Sequence, residues 1–229
     1  MRIAKWEQLS ALTGLAAGIL LLVAGAIQGA LPAADAPTRT IADFFSTNHQ
    51  RIMVAMFIRL FAGFAFIWFL GTLRSALSRA EGETGRLSAV AFGAGLIVLS
   101  SSASTTAVLA AVAFRADEGV NAAIAATVVG AVSMFYVISA MGTSWLLIAS
   151  FFVTLRTAVF PMWVGWLGLV IGLVNLVVPL FAFGKSPVQL SGLLAVLWIA
   201  IVSVLLFRQP SIAGPVIAPA STGAAATRR

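Results

Sequence analysis

Arg59 is the residue of this chain whose placement most strongly indicates a function, because it stands in an otherwise uncharged, apolar run from Ile52 to Leu73. A run of this length can cross a bilayer, where a charge is costly, so an arginine there is a candidate functional residue. Its guanidinium group forms paired hydrogen bonds with carboxylate or phosphate. Arg51 falls on a similar helical face two turns earlier, and His49 is close to it in the chain. We therefore predict that Arg59, with Arg51 and His49, binds an anionic head group.

Two alternatives account for Arg59 without a ligand. A helical side chain leans toward the start of its helix, so the guanidinium group could extend to the outer membrane interface. It could instead form a salt bridge with an acidic residue predicted on the same side of the membrane. These acidic residues are Asp43, Asp117 and Glu118.

Hydroxyl groups in two later segments could orient such a head group. One helix carries a hydroxyl stripe between Ser133 and Thr154, and polar stripes of membrane helices face the bundle interior. A second group, Ser100 to Thr106, surrounds its helix, so packing is its default role and lining a cavity is the alternative. Asn175 needs a partner, which is either a neighbouring helix or a ligand. The candidates from these segments are Tyr136, Ser139, Thr143, Ser101, Thr105 and Asn175.

The composition excludes most other chemistry. The 229 residues are 61% hydrophobic and only 9% charged, whereas soluble domains carry roughly 25% charged residues. The chain has no cysteine and one histidine, which excludes disulfides, thiolate nucleophiles and multi-histidine metal sites. The net charge of +7 comes from residues at the ends of apolar runs, as the positive-inside rule predicts. We therefore expect no nucleic-acid partner, no cofactor and no metal.

The apolar runs predict an all-α fold, a polytopic membrane protein with six transmembrane helices in one bundle and short loops. The predicted spans are about 9–31, 52–73, 87–114, 131–155, 163–183 and 188–207. They form one domain, 1–208, and the residues 209–229 are predicted to be a disordered cytoplasmic tail. In the turn between the second and third spans, Glu81 and Glu83 flank Gly82, where a pair of acids is expected to be solvated.

Three segments of this predicted arrangement need separate interpretation, because their length or pattern does not fit a simple span or loop. The first run is longer than the apolar part of a signal peptide, so we interpret it as a retained span, with cleavage near Ala36 as the alternative. Residues 40–52 have one apolar face, which predicts either a short helix on the outer membrane surface or a loop folded over the bundle. The run 120–155 is too long for one upright span, and we expect a bend at Gly130.

The basic residues decide the orientation. With the N-terminus inside, the cytoplasmic side holds nine of them: Arg2, Lys5, Arg74, Arg79, Arg86, Arg156, Arg208, Arg228 and Arg229. The outside holds four: Arg39, Arg51, Arg115 and Lys185. We therefore expect the N-terminus and the C-terminus to be cytoplasmic.

Three stretches carry a resemblance to a known group. They are IADFFSTNHQR at 41–51, WFLGTLRSALSRAEGETGRLSAVAFGAG at 68–95 and LRTAVFPMWVGWLGLV at 155–170. Across about residues 40–207 the chain resembles a group of uncharacterised actinobacterial six-span integral membrane proteins of unknown function. The resemblance implies six spans in the plasma (inner) membrane of a bacterium, and it supplies no catalytic or binding residue.

Three kinds of function fit these residues. The first is a module without catalysis that binds a lipid or an apolar anionic small molecule, or that serves as a subunit of an envelope complex. Its partners would be membrane lipid, a second copy of the chain or another membrane protein. The alternative is a small transporter or channel subunit, although the two halves show no internal repeat. The second alternative is a membrane-embedded lipid or isoprenoid enzyme, which would need an outer-rim carboxylate such as Asp43.

Overall fold

The computed structural model describes residues 9–82, 85–116, 119–181 and 187–208, and within these ranges the chain is helical with no strand. In chain order the helices are α1 (Thr13–Gln28), α2 (Thr38–Glu81), α3 (Arg86–Phe114), α4 (Ala122–Thr157), α5 (Met162–Phe181) and α6 (Pro187–Arg208). The predicted all-α class is confirmed. The predicted disordered tail, 209–229, lies outside the described residues.

Five helical segments of the described chain are long and apolar enough to cross a membrane. They are Leu9–Gln28, Thr38–Glu81, Arg86–Phe114, Ala122–Thr157 and Met162–Pro179, and Gly192–Arg208 is a shorter apolar helix. Large apolar side chains also cover the outside of the bundle, and Phe61 and Trp163 each expose more than half of their surface. A soluble protein rarely exposes so much apolar surface. These features indicate a membrane protein.

Helix α2 is much longer than the predicted second span. It is continuous from Thr38 to Glu81, so the boundary expected at Ile52 is absent. Its 44 residues extend about 66 Å at 1.5 Å per residue. Ile41 and Phe45 are completely buried and pack against residues of α3 and α4. The apolar face of 40–52 therefore contacts other helices, and both the surface helix and the folded loop expected there are wrong.

Helix α4 also has no break, because it continues through Gly130, where we expected a bend. Val129 and Val132, on either side of this glycine, are buried against α2 and α3. Their burial stabilises the continuous helix against the roughly 1 kcal/mol that a glycine in a helix costs. Asn121 caps the start of the helix, and its side chain accepts hydrogen bonds from the backbone N–H groups of Ala123 and Ile124 at 3.0 and 3.2 Å.

The buried side chains form two clusters, which divide the bundle into two tiers. The first cluster, the three-helix tier, joins the first part of α2 to the end of α3 and the start of α4. It consists of Ile41, Phe45, Ile52, Leu109, Ala113, Ala125, Val129 and Val132. The second cluster, the six-helix tier, joins all six helices. Its largest members include Phe69, Leu70, Leu147, Ile171 and Trp198.

Helix α1 packs beside only one part of α2. Near its start, Thr72 Oγ1 donates a hydrogen bond to Ser10 Oγ at 3.1 Å, and at its end Arg59 Nη1 donates to Gln28 Oε1. The helix therefore lies antiparallel to residues 59–72 of α2. The first 21 residues of α2, about 30 Å of helix, extend beyond the end of α1.

Glu81 connects α2 to α3. Its carboxylate accepts hydrogen bonds from the backbone N–H groups of Leu87 and Ser88, both at 2.9 Å. An acidic side chain in this position caps the first turn of α3 and interacts favourably with its positive end. Glu81 is thus a structural residue and not half of a solvated pair, and Glu83 lies outside the described residues.

Candidate ligand-binding cavity

A cavity of about 690 Å³ lies where α1 ends, enclosed by residues of α1, α2, α3, α4 and α6. Its volume is within the range of roughly 300–1,000 Å³ found for small-molecule sites. Leu60, Phe64 and Leu193 line this cavity and still expose 45%, 66% and 50% of their surface. The cavity therefore opens sideways, onto the apolar outer surface of the bundle.

The glycines of α1 explain why space remains here. Near the start of the helix, a Cβ on Gly14 would collide with the ring of Phe69 and with Ser203 Oγ, so α1 is in close contact with α2 and α6 at that point. A Cβ on Gly25 would meet no atom within 4 Å, and Gly25 lines the cavity. The helix is therefore held tightly at one end and leaves a gap beside its last turns.

Arg59 and Gln28 form the polar end of the cavity. Gln28 is 3% exposed, and its Oε1 accepts a hydrogen bond from Arg59 Nη1. A guanidinium group has five N–H donors. No other hydrogen bond and no ion pair joins Arg59 to the described part of the chain, and Arg59 lines the cavity. Most of its donors therefore remain available to a ligand.

The hydroxyl groups of α4 divide into two sets. Those of Ser133, Ser144, Ser150 and Thr154 each donate to the backbone carbonyl four residues earlier, as serine and threonine commonly do in membrane helices. Two others, on Ser139 and Thr143, form no hydrogen bond with the described residues, and both residues line the cavity. Tyr136, one turn before Ser139, also lines it and is close enough to interact electrostatically with Arg59. The unpaired hydroxyls of this helix are thus those that face the cavity.

The other end of the cavity is apolar. Along α1 it extends from Gln28 back to Ala17, which is roughly 16 Å of helix. The side chains that line this part come from four helices and include Leu21, Ile67, Val98, Leu99, Val196 and Ile199. The cavity is therefore amphipathic, with charge and hydroxyl groups at one end and hydrocarbon along the rest.

The structure brings together four of the nine predicted site residues: Arg59, Tyr136, Ser139 and Thr143. Arg51 is exposed and does not line the cavity. Eight residues of helix place it about 12 Å from Arg59 along the axis and roughly 80° around it. His49 Nδ1 lies 2.9 Å from the carbonyl of Ser46, outside the cavity. The expected grouping of Arg59 with Arg51 and His49 is therefore absent.

The three remaining candidates are buried outside the cavity wall. Ser101 and Thr105 are each 5% exposed and form no hydrogen bond within the described residues. On α3, therefore, hydroxyls without a hydrogen bond also occur away from the cavity, unlike on α4. Asn175 is 2% exposed and donates to the carbonyl of Ile171 at 3.0 Å within α5, which does not line the cavity.

Sequence reasoning missed three polar residues of the wall, Gln28, Ser102 and Thr106. The signal for Gln28 was present, because an amide within an apolar run needs a partner. No signal separated Ser102 and Thr106 from Ser101 and Thr105, because hydroxyls occur on every side of that helix.

The described residues that line the cavity include no carboxylate and no histidine. Asp43 lies sixteen residues before Arg59 on the same helix, about 24 Å along its axis, so the alternative salt bridge between them is absent. Asp117 and Glu118 lie outside the described residues. The described wall thus offers a cation, neutral hydrogen-bonding groups and hydrocarbon.

No family model matches the chain, and no curated protein or solved structure matches it.

Proposed function

We propose that this membrane protein binds an amphipathic molecule, with an anionic head group at Arg59 and an apolar tail in the apolar part of the cavity. One observation carries the proposal. Arg59 has a single acceptor among the described residues, and the unpaired hydroxyls of Ser139 and Thr143 line the same cavity. A cation and hydroxyls that are partly withdrawn from water are costly without partners, so a polar head group would stabilise this end.

The shape of the cavity favours a lipid-like ligand over a water-soluble anion. A small soluble anion would occupy the polar end and leave the long apolar part unfilled. The lateral opening at Leu60, Phe64 and Leu193 would admit a molecule from the surrounding hydrocarbon. Binding is also favoured over catalysis, because the described wall lacks the carboxylate or histidine that general acid–base chemistry most often uses.

We place the protein in a bacterial plasma membrane with both termini in the cytoplasm, and the positive-inside rule supports this orientation. Arg74, Arg79, Arg86 and Arg156 lie at the end of the bundle where α2 and α4 finish and α3 begins. In this orientation the three-helix tier and Arg59 would belong to the outer side. The ligand would then enter from the outer leaflet.

Replacing Arg59 by glutamine tests the proposal. Hydrogen bonds to a charged group contribute about 1.5–3 kcal/mol each, so we expect binding of an anionic lipid to weaken about 10- to 150-fold. Native mass spectrometry of the full chain would measure this, first as the loss of a co-purified mass and then by titration with palmitoyl lysophosphatidylglycerol.

Arg51→Gln is the matched control, because it removes the same charge from the same helix outside the cavity. We expect this variant to bind the lipid as the unchanged protein does. Equal loss of binding in both variants would mean that net charge and not the cavity holds the lipid. Unchanged binding in Arg59→Gln, with a lower unfolding temperature, would assign Arg59 a purely structural role beside Gln28.

A further inference from the structure

The last turn of α1 borders the cavity and carries a second kind of polar group, its backbone carbonyls. A helix leaves its last four carbonyl groups without partners inside the helix. At the end of α1, Gly29 adopts φ 77° and its N–H donates to the carbonyl of Gly25 at 3.0 Å. The carbonyls of Ala26, Ile27 and Gln28 accept no hydrogen bond from the described residues. Ala26 and Gln28 line the cavity beside Arg59.

These carbonyls change the electrostatics of the site. The C-terminal end of a helix carries a partial negative charge of about half an electron. This charge stabilises Arg59, and it repels an anion placed between the guanidinium group and the helix end. For a head group that is only an anion, repulsion by the helix end would therefore offset part of the favourable binding free energy from Arg59. A hydrogen-bond donor on the same head group would remove the conflict, because it could bond the free carbonyls.

We propose that the head group recognised here is an anion that also carries a hydrogen-bond donor, such as a hydroxylated phosphodiester. Its negative oxygen would accept from Arg59, and its hydroxyl would donate to the carbonyls of Ala26 and Gln28. The hydroxyls of Ser139 and Thr143 can donate or accept, so they suit either part. This inference rests on the proposed function and adds the chemical class of the head group.

Three lipids with saturated chains of sixteen carbons separate the requirement for an anion from the requirement for a hydrogen-bond donor. Hexadecyl sulfate is a single anion without a donor, palmitoyl lysophosphatidylglycerol is a single anion with hydroxyls, and monopalmitoylglycerol has hydroxyls without charge. The full chain would be placed in nanodiscs of phosphatidylcholine, whose head group has no donor. Binding of each lipid would be measured for the unchanged protein and for Arg59→Gln, with Arg51→Gln as the control.

We expect lysophosphatidylglycerol to bind about tenfold more tightly than hexadecyl sulfate, the effect of one or two added hydrogen bonds. Arg59→Gln should weaken both anions and leave monopalmitoylglycerol unchanged. Equal binding of the two anions, with both lost in Arg59→Gln, would overturn this inference and leave the proposed function in place. Anion binding that is unaffected by Arg59→Gln would overturn the proposed function itself.

A soluble competitor distinguishes a lipid from a free head group. Glycerophosphoglycerol carries the same phosphodiester anion and the hydroxyls without the tail. We expect it not to displace lysophosphatidylglycerol at equal concentration, because the apolar part of the cavity contributes most of the buried area. Displacement at equal concentration would overturn the assignment to a lipid.

Discussion

Filling the cavity from Gly25 should weaken lipid binding without disturbing the fold. Gly25 lines the cavity, and a Cβ there meets no atom within 4 Å. Leucine adds four carbon groups, which at the ~30 Å³ of a water molecule each occupy about 120 Å³. The whole cavity measures about 690 Å³. A ligand that fills it would therefore lose contact for about four methylene groups.

The expected loss follows from the transfer free energy of hydrocarbon. At about 0.8 kcal/mol for each buried methylene group, four groups amount to about 3 kcal/mol. That corresponds to an affinity roughly 200-fold weaker, at about 1.4 kcal/mol for each factor of ten. Since the cavity is open at one side, the tail can shift outward and recover part of this energy. We therefore expect Gly25→Leu to weaken binding of lysophosphatidylglycerol between about 10- and 200-fold.

Gly71→Leu is the matched control. Gly71 is exposed on α2, a Cβ there also meets no atom within 4 Å, and Gly71 does not line the cavity. Both substitutions raise helix propensity by about 0.5–1 kcal/mol, so neither should lower the unfolding temperature. Titration of the three proteins in nanodiscs, followed by native mass spectrometry, compares their affinities. Equal affinity of Gly25→Leu and Gly71→Leu would refute the assignment of the cavity as the binding site.

Two further predictions concern packing and orientation. Gly14→Leu should lower the free energy of unfolding by about 1–3 kcal/mol, because its side chain would collide with Phe69 and Ser203. Thermal unfolding measures this, with Gly71→Leu as the control. Equal stability of the two variants would contradict the close contact of α1 with α2 and α6. The chain has no cysteine, so single cysteines report orientation without background. We expect Thr47→Cys to react with a membrane-impermeant maleimide in intact cells and Arg86→Cys only after permeabilisation; the reverse pattern would invert the proposed topology.

The apolar runs predicted the helical class and the approximate position of most helices, because a span is a local property of composition. They could not predict the true lengths of α2 and α4. Residues 38–51 of α2 carry many polar side chains, and their helix is stabilised by the burial of Ile41 and Phe45 against α3 and α4. That burial depends on contacts between distant parts of the chain, which hydropathy along one segment does not contain.

In the candidate site, too, local sequence features could be predicted, whereas features that depend on contacts between distant residues could not. A charge within an apolar run marked Arg59, and helical spacing placed Tyr136, Ser139 and Thr143 on one face, so these four residues could be grouped from sequence. The position of α1 could not be predicted, because its last turn is set by packing at Gly14 and by the contact between Gln28 and Arg59. Gln28 and the carbonyls of that turn therefore entered the site only through the structure.

The early end of α1 links the two tiers to the polarity of the cavity. After Gln28, nine residues must connect the six-helix tier to the start of α2, which extends about 30 Å beyond α1. A helix advances about 1.5 Å per residue, whereas an extended chain advances up to about 3.3–3.6 Å. Ending α1 at Gln28, instead of at Leu31 as the predicted span had it, makes this connection long enough. The same end leaves carbonyl groups without partners beside Arg59, so the length of α2 and the donor and acceptor groups of the cavity have one structural cause.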